Sequence, residues 1–412
     1  MRITFVSNYI NHHQLPFCKA MIENLPEGDE FTFIQTEEME ADRKNMGWNA
    51  KLPVFVKLAY SSEEENKRCR ELIFDSEVVI FGGCEDESYI SPRLEALREG
   101  NAGGEKYLTL RYSERVYKDG QWKFITPRGL RKKYLDHTRY KKLPVYLLCS
   151  GGYVASDFSL FGAYKGKKYR WGYFPEIKDI DIDELIRTKG YYFSDTEKKS
   201  DTPYILWTGR FLDWKHPELA VKTAKYLRDK GLDFHMDIVG DGPEKNNVLL
   251  LIAAYGLEDK VCVSGFKKPE EVRAMMEKAD IYLFTSDRRE GWGAVANESM
   301  NSGCAIVADS MIGAVPYLIK NGENGFVYLD GKKEDLFEKT RLLAEDKELR
   351  HNLGKEAYNT VKNIWNPEVA ASRMMQFIST FMAGDEFPKF ESGPLSIENS
   401  LSENKISKKA AE

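Results

Sequence analysis

Two glutamates, Glu290 and Glu298, flank the segment of the sequence with the clearest chemical content. Between them, Gly291, Trp292 and Gly293 come just before a predicted helix. Glycines before a helix leave backbone N–H groups open at its positive end, where an electron-rich ligand binds favourably. A carboxylate accepts hydrogen bonds at both oxygens, so the two glutamates suit pairs of hydroxyls, as on a sugar or a ribose. The alternative interpretation is a surface turn with solvated acids.

Two cations follow the first predicted strand of the second half of the chain. The strand runs into Gly209 and Arg210, and Lys215 comes shortly afterwards, before a predicted helix. Gly209 permits close approach of the backbone. The cations can neutralise a diphosphate, Arg210 through a fork of N–H donors and Lys215 as a point charge. In the competing interpretation, they pair with the nearby acids Asp213 and Glu218.

The elements that must position these residues alternate between short apolar strands and amphipathic helices in both halves of the chain. This alternation implies right-handed crossovers and parallel sheets covered on both faces. We therefore predict an α/β protein with two Rossmann-like, doubly wound parallel sheets, whose facing carboxyl ends would form a ligand cleft. The predicted strands are Ile3–Ser7, Phe31–Ile34, Val78–Phe81, Tyr107–Arg111, Val145–Cys149, Tyr204–Thr208, Phe234–Val239, Val261–Ser264, Ile281–Thr285, Ala305–Ala308 and Gly325–Tyr328.

A series of motifs runs through the second half of the chain in a fixed order. The series comprises Gly209-Arg210 with Lys215, Gly240-Asp241-Gly242-Pro243, Ser264-Gly265-Phe266, Glu290 with Glu298, Asn301-Ser302-Gly303, and Asn321-Gly322-Glu323-Asn324-Gly325. Its order and separations resemble those of the group 1 glycosyltransferases, the family of retaining nucleotide-sugar enzymes with the GT-B fold. The resemblance covers about residues 200–382 and depends on the ordered set, not on any one motif.

The resemblance implies a role for each candidate residue. Arg210 and Lys215 would hold the diphosphate of the donor. Glu298 would hold the ribose hydroxyls and Glu290 the transferred sugar, while the backbone between the two glutamates would line the same sugar and phosphate. The loop Gly265-Phe266-Lys267 would face the base. We thus expect transfer of a sugar from a nucleoside diphosphate sugar to a carbohydrate or lipid-linked glycan, with retention.

Two other functions remain open for the same sequence. One is a nucleotide-sugar epimerase of the same fold, and the other is a catalytically silent subunit that binds a nucleotide sugar. We expect no cofactor, because the nucleotide sugar is a substrate, and no metal ion. A basic clamp would instead stabilise the diphosphate leaving group. Asp179-Ile180-Asp181 has the Asp-x-Asp pattern of metal sites in the other glycosyltransferase fold, but it lies in a charged linker.

The first half of the chain would bind the acceptor. Many family members have a Gly-Gly loop after the first strand, where this chain has Ser7-Asn8-Tyr9, and a histidine after the fourth strand, where it has Gly82-Gly83-Cys84-Glu85. The usual sugar-contacting histidine is therefore unassigned. His12 and His13 follow the first strand, and either could orient or deprotonate an acceptor hydroxyl. Equally, they could be capping or solvent-exposed loop residues.

The predicted domains are 1–195 on the acceptor side and 200–365 on the donor side. By the resemblance, the helix 366–383 would cross back and complete the first domain. Beyond Gly384 the chain is rich in Pro, Ser, Glu, Asn and Lys, which predicts a disordered tail over 384–412.

Composition excludes several classes of protein. The 412 residues include 60 Lys+Arg and 65 Asp+Glu, so the formal charge of −5 gives no general affinity for nucleic acid. The six cysteines occur singly, which excludes a disulfide scaffold. The first residues lack the pattern of a signal peptide, and the longest apolar run, Val248–Tyr255, is shorter than the roughly 20 residues that span a bilayer. We expect a cytoplasmic protein.

A basic segment, 128–142, is the one local departure from this balance. It could rest on anionic lipid at the inner face of a membrane and there meet a lipid-linked acceptor, or it could be a solvated basic face. Its one acid is Asp136. Its seven cations are Arg128, Arg131, Lys132, Lys133, Arg139, Lys141 and Lys142.

Overall fold

A computed structural model describes residues 1–39, 52–84, 86–100, 107–122, 126–190 and 202–412. It divides into two compact units. The first comprises Met1–Glu176 and Trp365–Ser402, and the second comprises Ile177–Ile364 and Glu403–Glu412. The boundary predicted between 195 and 200 lies outside the described residues.

The first unit is built on a parallel sheet with the strand order β3-β2-β1-β4-β5-β6-β7. Its strands are β1 (Arg2–Ser7), β2 (Glu30–Gln35), β3 (Val56–Leu58), β4 (Val78–Phe81), β5 (Leu108–Ser113), β6 (Val145–Ser150) and β7 (Lys168–Trp171). Its helices are α1 (Leu15–Glu23), α2 (Glu63–Asp75), α3 (Glu87–Glu99), α4 (Pro127–Asp136), α5 (Val154–Ser159) and, from the distant segment, α14 (Pro367–Ala383). Helix α14 packs on α1 and belongs to this unit.

The second unit is built on a parallel sheet with the order β10-β9-β8-β11-β12-β13. Its strands are β8 (Tyr204–Thr208), β9 (His235–Val239), β10 (Val261–Ser264), β11 (Ile281–Phe284), β12 (Ala305–Asp309) and β13 (Phe326–Tyr328). Its helices are α6 (Ile182–Thr188), α7 (Pro217–Asp229), α8 (Lys245–Tyr255), α9 (Pro269–Lys278), α10 (Val295–Met300), α11 (Val315–Leu318), α12 (Lys333–Glu345), α13 (Lys347–Asn363) and α15 (Glu403–Ala411).

Every predicted strand is present, and the strands β1–β13 pair with one another in parallel. The central strands of both sheets are buried along their whole length, as expected where helices cover both faces of a parallel sheet. Two strands were not predicted. β3 has only three residues, and β7 alternates cations with aromatics, a pattern that does not indicate a buried parallel strand.

The first unit ends before the predicted limit at 195. The reason is that the segment around α6 packs on the second unit. Lys189 is buried, and its ammonium donates to the backbone oxygens of Met276 and Ala279, at 3.1 and 2.7 Å. The hydroxyl of Tyr358 likewise donates to the backbone oxygen of Lys178 at 2.9 Å.

The prediction of a disordered tail over 384–412 is wrong. Residues 384–402, which we call the strap, pack along β7 of the first unit. There, the N–H of Arg170 donates to the Ser396 oxygen at 2.9 Å, and the Phe387 ring stacks on Phe377 at a centroid distance of 4.0 Å. The following residues form α15. Average composition hides the few apolar residues, among them Leu395 and Ile406, that become buried and fix this segment.

The basic segment 128–142 is not one helix. Helix α4 ends at Asp136, and a 3₁₀ turn follows at Thr138–Tyr140. Its cations also have different surroundings: Lys133 is partly buried, and Arg139 pairs with Glu95 at 2.5 Å. Among the helices that the structure describes, none is both long and apolar enough to cross a membrane.

Candidate functional site

The strand order reverses at one point in each sheet, and several of the predicted site residues lie in the loops there. In the second unit, β8 and β11 are neighbours but lead to opposite sides of the sheet. In the first unit, β1 and β4 stand in the same relationship. Open α/β sheets bind ligands at the carboxyl ends of such strands. The loops after β8 and β11 carry Arg210, Lys215 and Glu290, whereas the loop after β1 carries His12 and His13.

A buried threonine ties the loop after β8 to the end of β11. The hydroxyl of Thr285 accepts a hydrogen bond from the Trp207 indole N–H at 2.8 Å and lies 2.8 Å from the Lys215 backbone oxygen, to which it donates. Lys215 itself ends a 3₁₀ turn, Asp213–Lys215. The backbone of this cation is thus fixed by a residue that sequence motifs did not indicate.

Lys215 and Glu290 form an ion pair. The Lys215 Nζ lies 2.6 Å from the Glu290 Oε2, and the two side chains are only 15 % and 13 % exposed. The ammonium also lies 4.6 Å from the centroid of the Trp214 ring, within cation–π range. The interpretation of Glu290 as a solvated surface acid is therefore wrong.

The competing interpretation for the two cations, in which they pair with Asp213 and Glu218, is also wrong. Asp213 pairs with Arg289 at 3.2 Å, and Glu218 pairs with His216 at 3.2 Å. Arg210 is exposed, and the part of the chain that the structure describes offers it no ion-pair partner. Its guanidinium is therefore open to an anion from solvent.

The backbone between the two glutamates rests on a second buried segment. The N–H of Gly313 donates to the Glu290 oxygen at 3.3 Å, and the N–H of Ala314 donates to the Trp292 oxygen at 3.0 Å. A Cβ at Gly313 would lie 1.7 Å from the Gly291 oxygen, so only glycine allows this approach. The sequence offered no sign of this support, because Gly313 belongs to none of the motifs.

Trp292 and Gly293 have structural roles in this loop. The Trp292 indole is buried, and its N–H donates to the Asn297 Oδ1 at 2.8 Å. Gly293 has a φ of +92°, and a Cβ there would lie 2.5 Å from the Phe284 ring. The Trp292 side chain is therefore committed to the interior, and the contact of the 291–293 backbone with a sugar or phosphate remains a prediction.

Glu298 lies on α10, and burial raises the pKa of its carboxyl group to about 7. Its backbone oxygen lies within 3.4 Å of the guanidinium of Arg273, which also donates to the Asn301 oxygen at 2.9 Å. Glu298 is thus not a fully solvated acid. Near neutral pH its carboxyl group exists in both protonation states, so it can accept or donate a hydrogen bond.

The glycine-rich loop after β9 is shaped by packing. Gly240 has a φ of +142°, and a Cβ there would lie 1.9 Å from the Gly209 oxygen. Gly242 has a φ of +149°, and its Cβ would lie 2.6 Å from the Phe211 oxygen. The glycines therefore let this loop press against the loop after β8. A Cβ on Gly209 would in turn lie 3.3 Å from the Lys215 side chain, so the backbone there passes close to this cation.

The loop after β10 offers an aromatic surface. Phe266 is 53 % exposed, and no atom lies within 4 Å of the position that a Cβ on Gly265 would take. An open backbone beside an exposed ring can accept a planar, apolar ligand face. The predicted contact with a base remains a prediction.

His12 and His13 lie in the first unit, with their ring centroids 3.8 Å apart. The His13 ring stacks on Tyr173 at 5.7 Å, and the Asn11 Oδ1 accepts the His13 backbone N–H at 2.9 Å. Burial holds the pKa of His13 well below its usual range. His13 is therefore not a solvent-exposed loop residue, and burial favours the neutral form of its ring.

One charged network beside the site was not predicted. His216 has a φ of +51° and lies between Glu218, at 3.2 Å, and Asp287, at 3.7 Å. These carboxylates raise the pKa of His216 to about 9. Burial would raise the pKa of Asp287, but the hydrogen bonds that Asp287 accepts from His216 and Arg289 lower it to about 2. The network joins the loops after β8 and β11.

The two acids of the Asp-x-Asp pattern have structural partners. Asp179 pairs with Lys362 at 2.6 Å. Asp181 caps α6 by accepting the Glu184 N–H at 3.0 Å. These contacts account for both carboxylates without a ligand.

Comparisons with known proteins agree with this geometry. Residues 190–360 match the family model described as glycosyl transferases group 1. The chain is 31 % identical over 157 residues to the alpha-D-kanosaminyltransferase of Streptomyces kanamyceticus, which is 38 % of this chain and 40 % of that protein. It is 28 % identical over 186 residues to the N-acetyl-alpha-D-glucosaminyl L-malate synthase of Bacillus anthracis, 45 % of this chain and 46 % of that protein. The matched region thus spans less than half the length of these relatives.

A solved structure extends the similarity in fold to both units. Anabaena Alr3699/HepE in complex with UDP superposes with a TM-score of 0.63 at 13 % identity, covering 92 % of this chain and 100 % of that chain. At this identity the match shows the fold alone, and it agrees with two Rossmann-like units built on parallel sheets. Over residues 190–360 this chain therefore matches the group 1 glycosyl transferases in sequence, and its two units together have the fold of the Anabaena structure, the GT-B fold.

Proposed function

We propose that this chain transfers a hexosyl-type sugar, with retention, from a nucleoside diphosphate sugar to a carbohydrate or lipid-linked glycan. The observation that carries this proposal is the ion pair of Lys215 with Glu290 at the point where the strand order reverses, with the exposed Arg210 in the same loop as Lys215. A cation that can bind a diphosphate lies there beside a carboxylate that can accept hydrogen bonds from sugar hydroxyls.

The Lys215–Glu290 pair would exchange partners when the donor binds. A diphosphate next to Lys215 competes with Glu290 for the ammonium, because phosphate oxygens also accept charge-assisted hydrogen bonds. Glu290 is then released to accept hydrogen bonds from the sugar hydroxyls. The free protein keeps both groups partly buried and neutralised until the donor arrives.

The same cations would promote the chemical step. Breaking the bond between the anomeric carbon and the diphosphate places negative charge on the leaving oxygen and partial positive charge on the sugar. Lys215 and Arg210 stabilise the former, and charge that develops in the transition state is where preorganised groups lower the barrier most. We propose that this clamp acts without a metal ion. Loss of activity on chelation, with recovery on adding magnesium or manganese, would contradict the proposal that no metal ion is needed.

The known relatives support this assignment. The matched proteins from Streptomyces kanamyceticus and Bacillus anthracis are named for the transfer of kanosaminyl and for N-acetylglucosaminyl L-malate synthesis, and the Anabaena structure contains UDP.

We propose that the first unit binds the acceptor. The neutral His13, or its neighbour His12, would orient or deprotonate the acceptor hydroxyl.

Helix α4 exposes apolar and cationic side chains side by side. Leu130, Tyr134 and Leu135 are exposed by 37, 55 and 37 %, and Arg128 and Arg131 are exposed among them. Apolar side chains interspersed with cations on one helix favour the interface of an anionic membrane. We propose that α4 brings the protein to the inner face of a membrane. Co-sedimentation with anionic but not with neutral vesicles, lost in a Tyr134→Ser/Leu135→Ser variant, tests this docking.

The activity is tested by incubating the chain with nucleoside diphosphate sugars and measuring release of the nucleoside diphosphate. Slow hydrolysis that is lost in Lys215→Ala and in Glu290→Ala supports a transferase. Formation of a free epimer without an acceptor would indicate the epimerase instead, and binding without any turnover would indicate the silent subunit.

A further inference from the structure

The last described helix, α15, packs against α11 and β13 of the second unit. Helix α15 belongs to the second unit, although the strap that precedes it packs on the first. Its inward residues, Ile406, Ser407 and Ala410, follow helical spacing and are buried, whereas the residues between them face solvent. A helix of nine residues is marginal in water by itself. Its contacts with the second unit must therefore hold it in place.

Two polar contacts fix α15 to the second unit, one to the residue after β12 and one to the turn before β13. The hydroxyls of Ser407 and Ser310 form a buried hydrogen bond of 2.7 Å. The side-chain amide of Asn321 donates to the Ala411 oxygen at 2.7 Å, and its Oδ1 accepts the Val327 N–H at 2.9 Å. One asparagine therefore satisfies a carbonyl at the end of α15, which has no partner inside the helix, and also anchors β13.

The segment that α15 contacts is the segment that supports the Glu290 loop. Immediately after Ser310, the buried residues Met311–Ala314 run beneath that loop. Their backbone donates to the oxygens of Glu290 and Trp292, and Gly313 lies against Gly291 without room for a Cβ. A closely packed buried segment transmits a displacement because it has no space in which to absorb it.

We propose that α15 is a positioning element for the Glu290 loop. It holds Ser310 through Ser407, Ser310 begins the buried segment up to Ala314, and that segment sets the backbone of Glu290 and Trp292. The effect on catalysis rests on the proposed function, whereas the effect on the loop does not. Helix α15 thus acts on the Glu290 loop indirectly, through Ser310 and the segment 311–314.

The test uses a chain that ends at Ser402 and therefore lacks α15. Hydrogen–deuterium exchange should rise in the peptides that cover 288–295 and 311–315, and should stay unchanged in α7. Donor hydrolysis should fall by about tenfold to a hundredfold, the loss expected when reacting groups shift by about an ångström. A synthetic peptide of residues 399–412 should restore both measurements, whereas the same peptide with Ile406→Asp should not.

A second variant covers the case in which the shortened chain does not fold. In the full chain, Ile406→Ala should raise exchange at 288–295, and the control Lys408→Ala, on the exposed side of the same helix, should not. Unchanged exchange at 288–295 in Ile406→Ala, or an equal rise across the whole second unit, overturns the proposal. If exchange behaves as expected but no donor is turned over by the unaltered chain, the proposed function fails and the positioning role stands.

Discussion

The ammonium of Lys215 lies 2.6 Å from the carboxylate of Glu290, across two loops that the chain separates by 75 positions. The pair stands where a diphosphate and a sugar would meet in the proposed reaction. It joins the cation assigned to the leaving group with the acid assigned to the sugar. Replacing either partner, or a residue that holds the pair in place, should therefore change binding, turnover or stability in a defined direction.

Replacing Glu290 should separate binding from turnover. In Glu290→Gln the ammonium of Lys215 loses its competing carboxylate, so a nucleoside diphosphate without a sugar should bind more tightly. An ion pair of this exposure is worth roughly 1 kcal/mol, which corresponds to about a fivefold gain. Titration calorimetry measures the affinity, and donor hydrolysis by the same variant should be lost. Weaker binding of the diphosphate to Glu290→Gln would refute the exchange of partners.

Arg210 should contribute to binding but not to stability. Its guanidinium is exposed and has no ion-pair partner among the described residues, so Arg210→Ala should leave the melting temperature unchanged. Loss of a charge-assisted contact of about 1.5–3 kcal/mol should weaken diphosphate binding by about ten- to a hundredfold. Arg210→Lys should recover only part of this loss, since a lysine lacks the planar fork. An unchanged affinity in Arg210→Ala would remove this residue from the clamp.

Gly313 should tolerate no side chain. The Cβ of Gly313→Ala would overlap the Gly291 oxygen, and forcing the backbones apart should cost about 1–3 kcal/mol of the free energy of unfolding. Donor hydrolysis should fall as well, because the Glu290 backbone moves. Gly265→Ala is the matched control, since nothing lies within 4 Å of its Cβ, and chemical denaturation compares the two. Equal stability of both variants would contradict the close packing seen at Gly313.

The network around His216 should make stability depend on pH. Because the pKa of His216 is raised from 6.5 to about 9, its protonated form stabilises the fold fully below pH 6.5, and this contribution disappears as the pH rises through 9. The pKa of Asp287 is lowered from 3.8 to about 2, so its ionised form stabilises the fold above pH 3.8, and this stabilisation is lost as the pH falls towards 2.

His216→Asn isolates this contribution, since asparagine accepts the left-handed backbone of this position. The difference in free energy of unfolding between the native chain and this variant should be largest between pH 3.8 and 6.5 and should shrink above pH 9. Denaturation curves across this range provide the measurement. A difference that is the same at every pH would show that the ion pairs contribute nothing.

Much of the fold could be predicted from the sequence, because buried parallel strands have a local signature. Apolar runs such as Ile281–Phe284 are recognisable on their own. The strap was missed because its order depends on single residues, among them Leu395, that become buried only against a distant strand. No local pattern records such a contact.

In the site too, local sequence patterns predicted some features, whereas others depend on contacts between distant segments. Motifs indicated Arg210, Lys215 and Glu290, since their residue types suit a diphosphate and a sugar. The pairing of Lys215 with Glu290, and the roles of Thr285 and Gly313, depend on which loops the sheet order brings together. These relationships become visible only once β8 and β11 are known to be neighbours.

The role of Lys215 in donor turnover is decided by release of nucleoside diphosphate from a panel of UDP-, GDP-, ADP- and dTDP-sugars, by the native chain and by Lys215→Met. We expect at least one donor to be turned over, with a rate that falls by about a hundredfold or more in Lys215→Met, as for loss of a group that stabilises transition-state charge. If no donor is turned over, or if Lys215→Met is as active as the native chain, the assignment of this site is wrong.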